Sequence, residues 1–299
     1  MLRTRLLTAA ILAPLILAVV LLGEPWLSLL VGVAAFLALV ELVALLDAAG
    51  YQPPQVLTIF SGVALTAAGL VAVNGDSVGG VVASLLAALD APGLVAATLV
   101  AAMLLLAVAA FMRSDPRDGF ITWAMSAFGI AYVGLLLPAI ALVAHIAPQG
   151  GSSTTPVGLL GLGSGVAWTL TLVLVVWGYD TGAYLIGRMI GRTRLVDHIS
   201  PSKTIEGLAG GLVAATVAAG IGAALIGLEP WHPLVIGPVV GMAAQAGDLA
   251  ESLLKRAAGR KESGFLVPGH GGILDRVDSF LFAAPVLAGY ALLVAGRAA

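Results

Sequence analysis

The segment 252–278 concentrates charge in a chain that is otherwise almost uncharged. It contains five basic residues, three carboxylates, a histidine and a glycine-rich turn, whereas charged residues make up 10% of the whole sequence. Basic side chains bind phosphate oxygens, and carboxylates are hard ligands of the kind that Mg²⁺ prefers. The segment therefore predicts a site that binds a phosphate ester together with a divalent cation.

The spacing of the polar residues places them on two helix faces. Asp248, Glu251, Ser252 and Lys255 are spaced i, i+3, i+4 and i+7, so they share one face of a predicted helix. Asp275 and Asp278 lie one turn apart at the start of the next predicted helix. We expect the three aspartates to bind Mg²⁺, with coordination positions left for phosphate oxygens and water.

The turn and the bases of this segment are predicted to bind phosphate. Gly271 and Gly272 would let backbone N–H groups approach phosphate closely. No cysteine or second histidine is near enough to His270 in sequence to complete a zinc site. His270 is therefore a candidate hydrogen-bond donor to phosphate or a proton carrier. The bases that would neutralise negative charge are Lys255, Arg256, Arg260, Lys261 and Arg276. The alternative is that these bases only anchor the chain at the membrane surface and form salt bridges with local acids.

Two further clusters carry charge next to apolar segments. Asp180 lies inside an apolar segment, where a carboxylate is costly unless it faces a polar cavity or a partner. It is therefore a candidate functional residue, with a structural ion pair to Arg188 or another base as the alternative. Ser200 and Pro201 are predicted to be an N-cap and a first-turn residue, which would direct free N–H groups and Lys203 at an anion. Helix capping alone is the alternative explanation for that pair.

These groups must be positioned by helices that cross a membrane. Hydrophobic residues make up 60% of the 299 residues. Apolar stretches of about 18 to 25 residues recur, which is the length that an α-helix needs to span the hydrocarbon. The sequence thus predicts an all-α fold, a polytopic integral membrane helix bundle of about nine transmembrane helices. The predicted spans are Leu6–Leu22, Leu27–Leu46, Val56–Val73, Leu94–Met112, Ile121–His145, Val166–Ile186, Leu208–Leu228, Leu234–Ala250 and Val277–Val294. The absence of cysteine from the sequence excludes disulfides, thiolate metal sites and thiol catalysis.

The basic residues predict the orientation in the cytoplasmic (inner) membrane. With the N-terminus inside, all of the 14 basic residues except Arg297 lie on or next to the cytoplasmic side. The short apolar segment Val78–Leu89 is predicted to be re-entrant or interfacial, because a tenth span would move most of the bases to the far side. We expect one integrated membrane domain, with N-terminal transmembrane helices at 1–119 and catalytic helices at 120–299 whose active site faces the cytoplasm. The first span could instead be a cleaved signal peptide.

The charged segments resemble the phosphatidate cytidylyltransferases, also called CDP-diacylglycerol synthases. The family pattern is Ser, two residues, Lys-Arg, four residues, Lys-Asp, then a Pro-x-His-Gly-Gly turn and Asp-Arg-x-Asp. The matching residues are Ser252, Lys255, Arg256, Lys261, Pro268, His270, Gly271, Gly272, Asp275, Arg276 and Asp278. Glu262 stands where the pattern has aspartate, and Val267 is a milder departure. The segments DTGAYLIGR (180–188) and SPSKTIEG (200–207) also look like family sequence, so the resemblance covers roughly residues 120–290.

The resemblance implies transfer of CMP from CTP to phosphatidic acid, which gives CDP-diacylglycerol and pyrophosphate for phospholipid biosynthesis. The implied catalytic residues are Asp248, Lys255, Arg256, His270, Asp275 and Asp278. The implied substrate-binding residues are Ser202, Lys203, Ser252, Lys261, Gly271, Gly272 and Arg276. The implied metal ligands are Asp248, Asp275, Asp278 and Asp180. The expected cofactor is Mg²⁺ with or without a second cation, and the expected partners are CTP, phosphatidic acid, membrane lipid and a second copy of the chain in a homodimer. No nucleic acid is expected.

Two other functions compete with this interpretation. A CTP-dependent lipid kinase of the polyprenol or phytol type would transfer the γ-phosphate and release CDP. A secondary transporter of a phosphorylated solute would line its path with Asp180 and the bases, and it should have broken helices near the midplane and internal pseudo-symmetry. The sequence shows neither of those transporter features.

Overall fold

The structure is a computed structural model that describes residues 2–74, 90–146, 155–159, 161–267 and 271–297. It confirms the all-α fold class, since the described chain is a succession of helices with one short β-hairpin, β1 (Arg194–Val196) and β2 (Ser200–Thr204). The helices are α1 (Leu2–Leu22), α2 (Trp26–Ala48), α3 (Gln55–Val73), α4 (Ala91–Phe111), α5 (Pro116–Gly129), a π-helical turn (Ile130–Leu135), α6 (Ala139–His145), α7 (Pro156–Leu159), α8 (Ser164–Ile190), α9 (Ile205–Ile226), α10 (Pro233–Ala257) and α11 (Leu274–Arg297). The predicted re-entrant segment lies outside the described residues.

Eight helical segments in the described part of the chain are long and apolar enough to cross a membrane. The protein is therefore an integral membrane protein. The eight segments are Trp26–Ala48, Gln55–Val73, Ala91–Phe111, Pro116–His145, Ser164–Ile190, Ile205–Ile226, Pro233–Ala257 and Leu274–Val294. The remaining predicted span corresponds to α1, which contributes the shorter apolar stretch Ala10–Leu22.

Local signals explain where several helices begin. Asp90 caps α4 by accepting a hydrogen bond from Gly93 N at 2.9 Å, and Asp115 caps α5 by accepting from Arg117 N at 2.8 Å. A proline follows each cap at the start of the helix, where the missing N–H group costs no hydrogen bond. These caps separate apolar segments that hydropathy alone would define only loosely.

The predicted helix start at Ser200 and Pro201 is wrong. Both residues lie in β2, which pairs antiparallel with β1. The N-cap of α9 is Thr204, whose side chain accepts a hydrogen bond from Gly207 N at 3.1 Å. Lys203 therefore projects from a strand directly before the cap and does not belong to the first turn of a helix.

Two compact units make up the chain. The first comprises Met1–Thr8, Ser28–Ala141 and Leu254–Val277, and the second comprises Ala9–Leu27, Leu142–Leu253 and Asp278–Ala299. Each of the helices α10 and α11 contributes residues to both units. The predicted functional division of the chain between residues 119 and 120 stays a prediction.

Small residues bring α8 and α9 together within the second unit. Gly207 lies so close to the carbonyl of Ala183 that an added Cβ would be 2.9 Å from its oxygen. Gly211 lies against the ring of Tyr179 and the Cβ of Ala183. Small residues one helical turn apart are typical of a close helix contact in a membrane bundle, and such a contact is present at these two glycines.

Candidate active site

Polar residues of the first unit form the Asp275 cluster, which consists of Glu41, Lys255, Ser263, Gly272 and Asp275. Asp275 Oδ1 accepts a hydrogen bond from Lys255 Nζ at 2.6 Å, while Oδ2 accepts from Gly272 N at 2.8 Å and from Ser263 N at 2.9 Å. Ser263 Oγ lies 2.8 Å from the same Oδ2. The side chains of Lys255 and Asp275 are 12% and 8% exposed, so the ion pair is largely buried. Both oxygens of Asp275 are thus engaged by donors of the protein itself.

Glu41 brings a second carboxylate to this cluster from α2. Its side chain is buried, and it accepts hydrogen bonds from Leu274 N at 2.8 Å and from Ile273 N at 3.1 Å. The first N–H groups of a helix have no partner within the helix, and a negative charge at that end is favourable. Glu41 therefore caps the start of α11 from a distant part of the chain.

The two glycines of the motif are required by the close approach of these carboxylates. Gly271 has φ +81°, a left-handed conformation that other residues rarely adopt. A Cβ on Gly272 would overlap Oε2 of Glu41 and Oγ of Ser263. In this arrangement the N–H group of Gly272 donates a hydrogen bond to Asp275. Binding of substrate phosphate by the two glycines stays a prediction.

Three predicted phosphate-binding bases are exposed at the surface: Arg256, Lys261 and Arg276. Nη1 of Arg256 donates to the carbonyl of Arg260 at 3.3 Å. Within the residues that the structure describes, the side chains of Lys261 and Arg276 form no hydrogen bond or ion pair, which leaves their charges accessible to an anionic ligand. His270 lies outside the described residues.

In the second unit, Lys203, Asp248 and Ser252 form the Asp248 cluster. Lys203 Nζ lies 2.6 Å from Asp248 Oδ2, and Ser252 Oγ donates to Asp248 Oδ1 at 3.3 Å. The side chains of Lys203 and Asp248 are 17% and 33% exposed, so this ion pair is less buried than that of Asp275. Ser202 precedes Lys203 on β2 and is exposed. The cluster pairs a base whose ammonium nitrogen is buried with a carboxylate that is partly exposed.

A buried tyrosine hydroxyl lies next to Asp180 in sequence and is hydrogen-bonded across two helices of the second unit. Tyr179, which precedes Asp180 on α8, donates its hydroxyl hydrogen to Gln245 Oε1 at 2.6 Å. Arg188, the alternative partner that the sequence suggests for Asp180, donates to the hydroxyl of Tyr184 at 2.8 Å.

Asp278 lies near Asp248 within the second unit. Asp278 is buried, and its Oδ1 accepts from Ser279 N at 2.6 Å. Its carbonyl lies so close to Gly247 that a Cβ there would overlap it, and Gly247 directly precedes Asp248. Backbone contact therefore brings these two predicted metal ligands near each other.

The donor set fits a cation that binds together with phosphate. Among the described residues, no group of three or more His, Asp or Glu side chains is arranged to hold a metal ion. Mg²⁺ usually takes only one or two protein carboxylates and completes its coordination with water and phosphate oxygens. Asp248 and Asp278, which backbone contact brings near each other, would supply the carboxylates of such a site, and the role of Asp180 as a ligand stays a prediction.

Three polar residues that form buried hydrogen bonds here are not among those predicted from the sequence: Glu41, Tyr179 and Gln245. Glu41 had a usable signal, because it is a charged residue within a predicted span, and the reasoning applied to Asp180 applies to it equally. The hydrogen bond between Tyr179 and Gln245 joins two helices, and no spacing pattern in the sequence indicates it.

Comparison with known proteins finds similar sequences among phosphatidate cytidylyltransferases. A phosphatidate cytidylyltransferase of Staphylococcus saprophyticus is 45% identical over 125 residues, which is 41% of this chain and 48% of the relative. Another from Synechocystis sp. is 41% identical over 133 residues, 44% of this chain and 45% of the relative. A third from Bacillus subtilis is 46% identical over 125 residues, 41% of this chain and 46% of the relative. The chain spans about half the length of the curated relatives it matches.

The match to the family as a whole is more extensive. The sequence profile described as the Cytidylyltransferase family matches residues 3–294 of the 299 residues, so it includes α2 as well as both charged clusters. The chain therefore belongs to the cytidylyltransferase family.

Proposed function

We propose that this protein transfers CMP from CTP to phosphatidic acid, forming CDP-diacylglycerol and pyrophosphate for phospholipid biosynthesis. The observation that carries the proposal is the combination of exposed bases with ordered carboxylates in a membrane helix bundle of this family. A nucleotide and a phospholipid both present anionic phosphates, while the acyl chains of the lipid remain in the bilayer. The proposed homodimer and the proposed inner-membrane location follow from the family resemblance.

The proposed chemistry is a displacement at phosphorus. An oxygen of the phosphatidate phosphate forms a bond to the α-phosphorus of CTP while the bond from that phosphorus to the oxygen bridging to the β-phosphate breaks. The electron pair of the broken bond leaves with pyrophosphate. Such transfers depend mainly on in-line positioning and charge neutralisation, so no covalent intermediate with the protein is needed. The bases proposed to bind the substrate phosphates are Arg256, Lys261 and Arg276, with Lys203 as a further base. His270 is proposed to donate a hydrogen bond to phosphate or to carry a proton.

The carboxylates are assigned two different roles. We assign Asp248 and Asp278 to binding Mg²⁺ and Asp180 to contacting a group bound to that ion or to binding a second cation, and the bound Mg²⁺ would neutralise phosphate charge. Asp275 is also a metal ligand according to the sequence prediction, yet its oxygens accept hydrogen bonds from Lys255, Ser263 and Gly272. We therefore assign Asp275 to holding those groups in place.

The reaction itself provides the first test. Purified protein incubated with CTP, phosphatidic acid and Mg²⁺ should form CDP-diacylglycerol and pyrophosphate in equal amounts, because one bond is exchanged for another. Mass spectrometry of the lipid and an enzymatic assay of pyrophosphate would measure both products. Excess EDTA should stop the reaction, and added Mg²⁺ should restore it, because the phosphate charges would otherwise repel each other.

Product analysis and a transport assay separate the competing functions. Release of CDP together with a phosphorylated lipid would identify a lipid kinase, since that enzyme transfers the γ-phosphate. Uptake of a phosphorylated solute into proteoliposomes without formation of any CDP-lipid would identify a transporter. Unchanged turnover in excess EDTA would contradict the proposed role of Mg²⁺.

We further propose that the charged clusters face the cytoplasm. The chain has no cysteine, so single cysteines can be introduced cleanly at the exposed residues Glu262 and Glu229. An impermeant maleimide added to intact cells should label Glu229→Cys and should label Glu262→Cys only after permeabilisation, because the two residues flank α10. Labelling of Glu262→Cys but not Glu229→Cys in intact cells would reverse the orientation.

A further inference from the structure

Glu41 is a buried carboxylate for which the proposed reaction has no direct use. It lies in α2, an apolar helix in which the other charged residue is Asp47, near the C-terminal end. The side chain of Glu41 is only 5% exposed. A charged group within a membrane-spanning helix is costly unless it has a partner or a function. The contacts of Glu41 therefore indicate what its presence accomplishes.

Those contacts join two separate parts of the motif. Glu41 accepts hydrogen bonds from Ile273 N and Leu274 N, which are the last residue before α11 and its first residue. Its Oε2 is also 3.2 Å from Ser263 Oγ, in the loop that follows α10. The backbone of the loop packs tightly here, since a Cβ on Gly264 would overlap the Glu41 carboxylate. Glu41 thus holds the loop and the start of α11 against α2.

Ser263 links Glu41 to Asp275. Its Oγ lies 3.2 Å from Glu41 Oε2 and 2.8 Å from Asp275 Oδ2, while its N–H group is donated to Asp275. Asp275 in turn accepts from Lys255 Nζ at 2.6 Å. A displacement of the Glu41 carboxylate would therefore disturb the residues that fix Asp275 and Lys255.

We propose that Glu41 is a positioning residue for CMP transfer, which sets the start of α11 and the Ser263 loop so that Asp275 and Lys255 are held in their working geometry. The inference rests on the proposed function for its activity measurement. It assigns to the N-terminal helices a part in a reaction whose charged motif lies entirely in the C-terminal half of the chain.

The substitution Glu41→Gln tests this proposal at constant side-chain size. The amide keeps one acceptor oxygen but places an NH₂ group against an N–H donor of Ile273 or Leu274. Hydrogen exchange followed by mass spectrometry should then show faster exchange in the peptide that contains residues 272–276. The value of kcat should fall at least about tenfold, which corresponds to the loss of one buried hydrogen bond. The KM for CTP should change less than about threefold, since a positioning residue contributes little to ground-state binding.

Asp47→Asn is the matched control, because it removes an exposed carboxylate from the same helix. It should leave exchange and kcat within about twofold of the wild type, as surface substitutions usually do. If Glu41→Gln does not yield monodisperse protein, Glu41→Asp provides the comparison, since it keeps the charge and withdraws the carboxylate by one methylene. That variant should exchange faster at residues 272–276, with kcat lowered at least about threefold.

The outcomes distinguish this inference from the proposed function. A wild-type protein that makes no CDP-lipid contradicts the function, whatever the exchange data show. An active wild type with normal kcat in the Glu41 variants overturns the positioning role. Unchanged exchange at residues 272–276 overturns it as well, because the N–H groups of Ile273 and Leu274 in that peptide are donated to Glu41. A fall in kcat that is matched by a loss of folded protein also overturns it, because the defect would then be one of stability alone.

Discussion

The substitution Asp275→Asn is expected to lower the rate of CDP-diacylglycerol formation by at least about a hundredfold. The carboxylate accepts from Lys255 Nζ, Gly272 N and Ser263 N. An asparagine offers one acceptor oxygen, and its NH₂ group would face one or more of these donors in place of the second carboxylate oxygen. Loss of about 2.7 kcal/mol of transition-state stabilisation gives a hundredfold decrease in rate, which is the lower range for losing one principal electrostatic contribution. Turnover of the purified variant, normalised to folded protein, would measure the effect.

Glu262→Asp is the control for this substitution. Glu262 belongs to the same motif, but its side chain is exposed, and it forms no hydrogen bond or ion pair with the residues that the structure describes. Shortening it by one methylene, to the aspartate of the family pattern, should change activity less than about tenfold, because a surface loop absorbs the difference in length. Near-normal turnover of Asp275→Asn would mean that the buried ion pair with Lys255 is dispensable for the reaction.

The helices could be predicted because hydropathy is a local property. A bilayer requires about 20 apolar residues for each crossing, and the sequence meets this requirement independently in each span. The predicted boundaries are less accurate, since the ends depend on particular caps such as Asp90 and Asp115. The charged segment could also be identified locally, because charged residues are rare in an apolar chain and those that occur usually have a functional role.

The Ser200 prediction failed because two local signals competed. Serine followed by proline is typical of a helix start, but Thr204 lies four residues later and also provides a capping side chain. The hairpin with β1 determines the outcome, since it fixes residues 200–204 as a strand. A strand pairing of this kind depends on residues before the motif, which a capping rule does not consider.

The role of Glu41 could not be deduced from the motif, because its partners are more than two hundred residues away in sequence. The residues that match the family pattern indicate which groups carry charge but not which groups hold them. Gly272 shows the same limitation. The sequence predicts that the missing side chain of Gly272 lets a phosphate approach. The structure shows the carboxylate of Glu41 so close that it would overlap a Cβ on Gly272. Only the fold reveals which neighbouring group requires that this position have no side chain.

A difference in Mg²⁺ dependence should separate the aspartates of the two units. Asp248→Asn and Asp278→Asn should each lower kcat at least about a hundredfold and raise the Mg²⁺ concentration for half-maximal activity at least about tenfold, because each removes a proposed ligand charge. Asp275→Asn should lower kcat without raising that concentration more than about threefold, since we assign Asp275 to holding Lys255 and Ser263. Activity measured across a Mg²⁺ titration at saturating CTP would give both values for each variant.

Lys203→Gln supports the interpretation of this experiment, because it removes the ion-pair partner of Asp248 and leaves the carboxylate in place. If Asp248 binds Mg²⁺, loss of the competing ammonium group should not raise the Mg²⁺ requirement, while the KM for CTP should rise because a phosphate-binding base is gone. If Asp248→Asn and Asp278→Asn instead show an unchanged Mg²⁺ requirement, the two aspartates do not bind the metal. If Asp275→Asn alone raises it, the metal site lies in the Asp275 cluster, and Lys255 would then have to release the carboxylate when the cation binds.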